Sequence, residues 1–207
     1  MIHEVKHPLI TLKLNRMRDE QTSTIIFREL LDEISGIMTY EVFKDVKLVK
    51  EGLIKTPTGS IVDKLGLEKD ITVVPILRAG IGMANGVCNM LPTARIGHIG
   101  LYRDEVTLTP VKYYYKIPKN KDANILICDP MIATGNSIID AIKLLRADGY
   151  SHIRVIALIA APEGLEKLNK AYPEVDVFVA SIDEKLNEKG YIIPGLGDAG
   201  DRIFGTI

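Results

Sequence analysis

The chain has 207 residues, 46% of them hydrophobic, which is enough for one domain with a substantial core. Its 26 Lys and Arg nearly balance its 27 Asp and Glu, and the resulting net charge of −1 disfavours a protein that coats nucleic acid or binds membranes through charge. The apolar runs are far shorter than the roughly 18–20 residues that span a bilayer, and the N-terminus does not resemble a signal peptide. We therefore expect a cytoplasmic protein, with Cys88 and Cys128 as buried thiols, because they form no CxxC pair.

The apolar pattern predicts an α/β fold. Apolar residues at three- and four-residue steps predict a long helix over residues 22–43, whose stripe faces a core or a partner subunit. Short β-branched runs then predict buried strands at 71–77, 96–102, 125–128, 153–161 and 175–182. Helical patterns lie between several of them, notably 137–149 with Gly149 as its C-terminal cap. This alternation indicates a central, mainly parallel, twisted sheet flanked by helices, and without a linker or repeat we expect one domain over 1–207.

A phosphate-binding turn is predicted where the strand 125–128 ends. The small residues at 133–135 let backbone N–H groups approach an anion, the hydroxyls of Thr134 and Ser137 add donors, and the dipole of the following helix attracts negative charge. Asp129 is then directed at a hydroxylated ligand or at Mg²⁺. The alternative is an ordinary strand-to-helix turn with a Thr or Ser cap.

Arg78 is a candidate diphosphate ligand. It follows a predicted strand and precedes Gly80, so its guanidinium can form two parallel hydrogen bonds to a diphosphate while the glycine allows close approach. The alternative is a solvated surface arginine. Gly80, Gly82 and Gly86 resemble a dinucleotide-binding fingerprint, but the spacing is one residue too long.

Arg103 closes another predicted strand, and residues 106–117 alternate around Pro110 as in an exposed hairpin. The tyrosines at 113–115 and the neighbouring lysines favour a mobile lid that excludes water, although such a cluster can also stack single-stranded RNA.

The tail from Gly190 to Gly205 contains five glycines and Pro194, which predicts no regular helix. Its apolar residues indicate an ordered loop that folds back on the protein instead of a frayed end.

One motif is rejected. Residues 3–7 match the HExxH zinc-protease pattern, but Pro8 biases His7 away from helical angles and no amphipathic helix is expected around the segment. His98 and His152 have no visible nucleophile partner, so the sequence supports no Ser/His/Asp arrangement.

The hhhhDxxxxTGxS pattern at 125–137 resembles the phosphoribosyl-diphosphate (PRPP) loop of type I phosphoribosyltransferases. Most members carry two adjacent acids there, whereas Asp129-Pro130 is typical of the uracil phosphoribosyltransferases. The stretches 75–80, 100–105 and 190–202 support this narrower resemblance, which covers almost the whole chain.

The resemblance implies transfer of the 5-phosphoribosyl group from PRPP to uracil, giving UMP and diphosphate without a covalent nucleophile. It implies catalytic roles for Arg78, Arg103 and Asp198, and a Mg²⁺ cofactor held by PRPP and water near Asp198, with no direct protein ligand. The implied PRPP-binding residues are Arg78, Arg103, Asp129, Pro130, Met131, Ile132, Ala133, Thr134, Gly135, Asn136, Ser137 and Asp198. The implied uracil-binding residues are Ile192, Gly197, Asp198 and Ala199. Residues 103–121 would form a hairpin lid and residues 185–207 a base-binding hood.

Uracil and PRPP are thus the expected partners, with no membrane or nucleic acid. The apolar stripe at 22–43 makes a homodimer or larger homo-oligomer plausible, and the resemblance allows a GTP effector whose site the sequence does not locate. Two other classes stay open. One is a uracil-nucleotide-responsive RNA-binding regulator on the same fold, and the other is a noncatalytic structural subunit.

Overall fold

The computed structural model describes residues 1–103 and 110–206, apart from the side chains of Arg103 and Pro110. The helices are α1 (Pro8–Arg18), α2 (Thr24–Val42), α3 (Gly80–Met90), α4 (Asn136–Ala147), α5 (Pro162–Ala171) and α6 (Ala199–Phe204). The strands are β1 (Ile2–Glu4), β2 (Leu48–Lys55), β3 (Ile61–Leu67), β4 (Ile71–Leu77), β5 (Arg95–Ile96), β6 (His98–Arg103), β7 (Pro110–Lys116), β8 (Asn124–Cys128), β9 (Met131–Ile132), β10 (Ile153–Ala160), β11 (Asp176–Ile182), β12 (Lys185–Leu186) and β13 (Ile192–Ile193).

A nine-stranded sheet forms the centre of the molecule. Its main strands follow the order β1-β11-β10-β8-β4-β6-β7, with β5 beside β4 and β9 beside β10. The pairings are parallel except that of β6 with β7, which is antiparallel. The predicted α/β fold with a mainly parallel central sheet is confirmed. Among the described residues, no helix is long and apolar enough to cross a membrane.

The central strands are buried on both faces, which explains their continuous apolar sequences. In β8, Leu126 and Cys128 pack into one core while Ile125 and Ile127 pack into the other. Apolar side chains of α1, α2, α3 and α6 cover the first face, and those of α4 and α5 cover the second. Parallel strands alternating with helices bring the strand ends that precede α3 and α4 to one edge of the sheet.

The predicted apolar stripe of the long helix lies inside the protein's own core. Leu30, Ile34 and Met38 on α2 are buried. A Cβ atom added at Gly86 of α3 would lie 2.0 Å from the carbonyl oxygen of Asp32, so the two helices cross in close contact. Of the two predicted destinations for the stripe, the structure shows the core, and the stripe no longer argues for a partner subunit.

The predicted cap of α4 is present. Gly149 has φ +92°, its N–H donates to the carbonyl of Arg146, and the N–H of Tyr150 donates to that of Leu145. These two hydrogen bonds define a Schellman motif.

The N-terminal segment differs in part from the prediction. His3 lies in β1, and His7 is the extended N-cap of α1, so the HExxH pattern does not lie on one helix. The expectation that no helix adjoins this segment is wrong, because Pro8 occupies the first helical turn, where its missing N–H costs nothing.

A two-stranded antiparallel hairpin, β2–β3, was not predicted. All residues of β2 and the first five residues of β3 are exposed. Its apolar residues alternate with charges on both faces, so neither face shows the clear apolar pattern of a strand in a core.

The C-terminal segment is ordered, as predicted, but the expectation that it contains no regular helix is wrong. β12 pairs with β13, and residues 199–204 form α6. The Asp198 side chain caps the start of this helix, and Gly205, at φ +66°, ends it. Local capping at both ends therefore forms a short helix in a glycine-rich sequence.

Candidate active site

The turn between β8 and α4 has the features of an anion-binding site. Gly135 is the N-cap of α4 in the left-handed region, at φ +76°, and this residue makes no side-chain capping hydrogen bond to the helix end. The first backbone N–H groups of the 12-residue helix are therefore open to an anion. The side chains of Thr134 and Ser137 are exposed beside them, as the predicted donors require.

Two glycines, Gly135 and Gly164, allow this turn to lie in close backbone contact with the start of α5. A Cβ atom added at Gly135 would lie 2.7 Å from the carbonyl oxygen of Gly164, and one added at Gly164 would lie 2.2 Å from that of Ala133. Any side chain at either position would displace backbone. The sequence alone does not show the role of Gly164, because it acts on a turn some thirty residues earlier.

Asp129 is half-buried at the end of β8, where its Oδ1 accepts a hydrogen bond of 3.3 Å from the N–H of Met131. The pKa of this carboxyl is raised to about 7, mainly by burial; the Met131 N–H lowers the pKa, and the negative charge of Asp198 raises it. This like-charge effect links Asp129 to Asp198, which follows 69 positions later in the chain.

The end of β4 lies directly beside the end of β8. A Cβ atom added at Gly80 would lie 2.2 Å from the carbonyl oxygen of Cys128, so glycine is required where the two strand ends meet. Arg78 precedes this contact and is exposed, with its guanidinium carbon 5.5 Å from the centre of the Phe204 ring. This cation–π contact joins the loop after β4 to α6.

The C-terminal segment packs on the same edge of the sheet. A Cβ atom added at Gly82 would lie 3.3 Å from Ile203, and one added at Gly200 would lie 3.8 Å from Ala79. Ile192 and Ala199 are buried, while Gly197 and Asp198 are exposed. The Asp198 carboxylate accepts a 3.0 Å hydrogen bond from the N–H of Asp201.

The structure therefore brings together three of the predicted segments, namely the loop after β4, the turn after β8 and the C-terminal segment. Arg103 ends β6, but its side chain lies outside the described residues, as do residues 104–109 of the predicted lid. The described part of that lid is the antiparallel pairing of β6 with β7.

Three charged residues that contact the C-terminal segment were missed, and two of them, Asp183 and Arg202, are buried. Arg18 and Asp183 form an ion pair, and Arg202 donates to several backbone carbonyls. Their partners are up to 185 residues away in sequence, so no local pattern could reveal them.

Comparison with solved structures identifies the class of protein. A hypoxanthine phosphoribosyltransferase from Staphylococcus aureus is 13% identical, with 84% of this chain and 82% of that chain covered and a TM-score of 0.52, which shows a shared fold. The AQ2163 protein from Aquifex aeolicus is 39% identical over 99% of this chain and 98% of that one, with a TM-score of 0.92. The fold is that of the type I phosphoribosyltransferases.

Sequence comparison identifies the family. The family model described as uracil phosphoribosyltransferase matches residues 4–206. Proteins named uracil phosphoribosyltransferase are 53% identical in Macrococcus caseolyticus and 52% identical in Clostridium tetani, each over 206 residues that cover 99% of this chain and 98% of the relative. The chain belongs to the uracil phosphoribosyltransferase family and is a phosphoribosyl-transferring enzyme.

Proposed function

We propose that the protein transfers the 5-phosphoribosyl group from PRPP to uracil, giving UMP and diphosphate, at the edge of the sheet where these three segments meet. The convergence of the three segments that carry Arg78, Asp129 and Asp198 supports this placement most directly, because each segment has a different predicted role.

The turn after β8 holds PRPP in this proposal. The open N–H groups at the start of α4 and the hydroxyls of Thr134 and Ser137 bind the 5′-phosphate. Asp129 accepts hydrogen bonds from the ribose hydroxyls. Arg78, with Arg103 from the neighbouring loop, binds the diphosphate and stabilises its charge as it departs.

The C-terminal segment binds uracil. Backbone groups of Ile192 and of residues 197–199 match the donors and acceptors on the edge of the base, and a wrong exocyclic group would leave buried partners unpaired. The transition state has oxocarbenium character, so the protein's main contribution is to align base and sugar.

The site fits a Mg²⁺ ion that reaches it with PRPP. Oxygen atoms are the ligands that Mg²⁺ prefers. The negative charge of Asp198 raises the pKa of Asp129, so a cation bound with PRPP would relieve this like-charge repulsion. Among the described residues, no group of three or more His, Cys, Asp or Glu side chains could hold a metal by itself. When bound, the ion would neutralise charge on the diphosphate, while Asp198 would orient its water ligands.

A substrate panel tests the proposed reaction. The purified protein is incubated with PRPP, Mg²⁺ and one of uracil, cytosine, hypoxanthine or orotate, and diphosphate release is measured. We expect release with uracil only. Equal release with hypoxanthine would refute the proposed base specificity.

We also propose that the protein is a homodimer in which the β2–β3 hairpin packs on a second copy of the chain. An isolated two-stranded hairpin is marginally stable in water, and this one exposes Leu53, Ile54, Val62 and Leu65. This hairpin replaces the α2 stripe as the structural support for an oligomer.

The remaining expectations stay predictions. These are the single domain over 1–207 with a lid at 103–121 and a hood at 185–207, the GTP effector and the cytoplasmic location. The comparisons do not support the RNA-binding alternative. It would predict salt-dependent RNA binding through Tyr113 and Tyr114, which are exposed on β7.

A further inference from the structure

An ion pair between a half-buried arginine and a buried aspartate lies beside the proposed uracil site. Arg18, the last residue of α1, donates from its two terminal nitrogens to the two carboxylate oxygens of Asp183, at 2.7 and 2.6 Å. The Asp183 side chain is 1% exposed. Because breaking a buried pair leaves an uncompensated charge, such a pair enforces one arrangement of the segments that it joins.

The pair forms hydrogen bonds with both the N–H and the carbonyl of Gly195 in the C-terminal segment. The N–H of Gly195 donates to Asp183 at 2.9 Å, and its carbonyl accepts from Arg18 at 2.7 Å. Ser181 completes the cluster by donating to Asp183 at 2.9 Å. Burial opposes ionisation of Asp183, but these donors outweigh it and lower the pKa of the carboxyl.

The backbone of Gly195 is in close contact with that of Ile192, so the position of Gly195 affects the position of Ile192. Gly195 has φ +64°, and a Cβ atom added there would lie 2.1 Å from the carbonyl oxygen of Ile192. A displacement of Gly195 therefore displaces a backbone group that we propose contacts the base.

A second arginine holds the next residue. Arg202 is 8% exposed and lies over the Phe27 ring, with 4.5 Å from its guanidinium carbon to the ring centre. It donates to the carbonyls of Leu196 and Asp19 at 2.9 and 2.7 Å. Residues 195 and 196, immediately before the predicted base contacts at 197–199, are thus both anchored to the end of α1.

We propose that Arg18 and Asp183 are positioning residues for base selection, which hold the backbone of residues 192–199 in the arrangement that accepts uracil. In this proposal they act on the base through Gly195. This inference rests on the proposed placement of uracil beside residues 192–199.

Steady-state kinetics of Asp183→Asn and Arg18→Lys test the proposal. We expect the KM for uracil to rise about tenfold or more, because the base-reading backbone groups lose their alignment. The KM for PRPP should stay within about twofold of the wild-type value, since the phosphate and ribose of PRPP bind to the turn after β8 and Asp198 is the only proposed PRPP contact within residues 192–199. The preference for uracil over cytosine, as a ratio of kcat/KM values, should fall. Arg18→Lys keeps the charge but loses the two-pronged contact, so its defect should be the smaller one.

Asp45→Asn is the matched control. It breaks the pair in which Arg154 donates to both Asp45 oxygens at 2.8 Å, at the opposite edge of the sheet. This variant should lower the melting temperature without changing the KM for uracil. If Asp183→Asn does not fold, Arg18→Lys decides the outcome. A folded Arg18→Lys variant with a lower melting temperature but wild-type KM and base preference would show that the pair is only structural.

Hydrogen exchange of the wild type separates this inference from the proposed function. UMP should slow amide exchange within residues 192–199. Absence of that protection would overturn the uracil placement, whereas protection combined with unchanged kinetics in both variants would overturn the inference alone.

Discussion

At the scale of single residues, Arg78 carries the clearest prediction about catalysis. Arg78→Ala should lower kcat by about 10²–10³-fold, because it removes the cation that we propose stabilises the departing diphosphate. Its side chain is exposed, so the melting temperature should change little. Initial rates with saturating uracil and PRPP measure the effect.

Arg95→Ala is the control for this variant, since Arg95 is also exposed but lies on β5, near the start of β4, where it pairs with Asp70. It should keep wild-type turnover. Near-normal turnover of Arg78→Ala would refute the diphosphate-binding role.

Asp129 carries a prediction about pH. Its carboxyl has a pKa of about 7 in the folded protein and an ordinary value of 3.8. Between these values the folded state binds more protons than the unfolded state, so this group makes the free energy of unfolding fall as pH rises from about 4 to 7. Asp129→Asn should therefore be more stable than the wild type at pH 8, by about 1–3 kcal/mol, and should lose this advantage near pH 4.

Urea unfolding of both proteins at about pH 4.5 and about pH 8 measures this difference in the free energy of unfolding. The same variant should lose PRPP binding, because a neutral amide accepts fewer hydrogen bonds from ribose. Asp148→Asn provides the contrast. Hydrogen bonds from Lys121 and Tyr115 lower the pKa of Asp148, so removing this carboxylate should not raise the free energy of unfolding at about pH 8. Equal stability of Asp129→Asn and wild type at both pH values would show that folding does not raise the pKa of this carboxyl.

At the scale of elements, the contact between the turn after β8 and the start of α5 determines the shape of the phosphate site. Gly164→Ala places a Cβ atom 2.2 Å from the Ala133 carbonyl oxygen, so the turn must move. We expect the Kd for PRPP to rise about tenfold and the free energy of unfolding to fall by about 1–3 kcal/mol. Isothermal titration with PRPP and urea unfolding check the two effects.

Gly36→Ala is the matched control because Gly36 lies inside α2 with its nearest neighbour atom 3.6 Å from the added Cβ. It should stabilise the helix by about 0.5–1 kcal/mol and leave PRPP binding unchanged. An unaltered affinity for PRPP in Gly164→Ala would mean that the turn tolerates the displacement.

The elements also show what could be predicted from the sequence. The central strands were predictable because burial on both faces produces continuous β-branched runs, and the turn at 129–137 because its chemistry is local. The hairpin β2–β3 escaped prediction because its apolar residues contact little of their own chain. Helix α6 was missed because the five glycines of residues 190–205 argued against a helix more strongly than the capping residue Asp198 argued for one. The pair of Arg18 with Asp183 joins positions 165 residues apart, which only the folded structure reveals.

At the scale of the whole molecule, the exposed hairpin predicts the assembly. Leu53→Lys places a charge at a side chain that is 69% exposed in the single chain, so the fold should tolerate it while an interface buried against a second copy should not. Light scattering should give a wild-type mass of about twice the 22.9 kDa of one chain, and a mass near one chain for the variant.

Leu12→Lys on α1, where the side chain is 70% exposed, should leave the mass unchanged. A wild-type protein with the mass of one chain would contradict the dimer.

The two edges of the sheet differ in the residues that lie there: the proposed site is at one edge, and surface ion pairs are at the other. Arg78, Asp129 and Asp198 gather at the carboxyl edge, whereas the ion pairs of Arg154 with Asp45 and of Lys69 with Asp122 lie at the amino edge. A surface anchor for immobilising the catalyst, or a set of thermostabilising replacements, therefore belongs on the amino edge, where it leaves access for nucleobase analogues unobstructed.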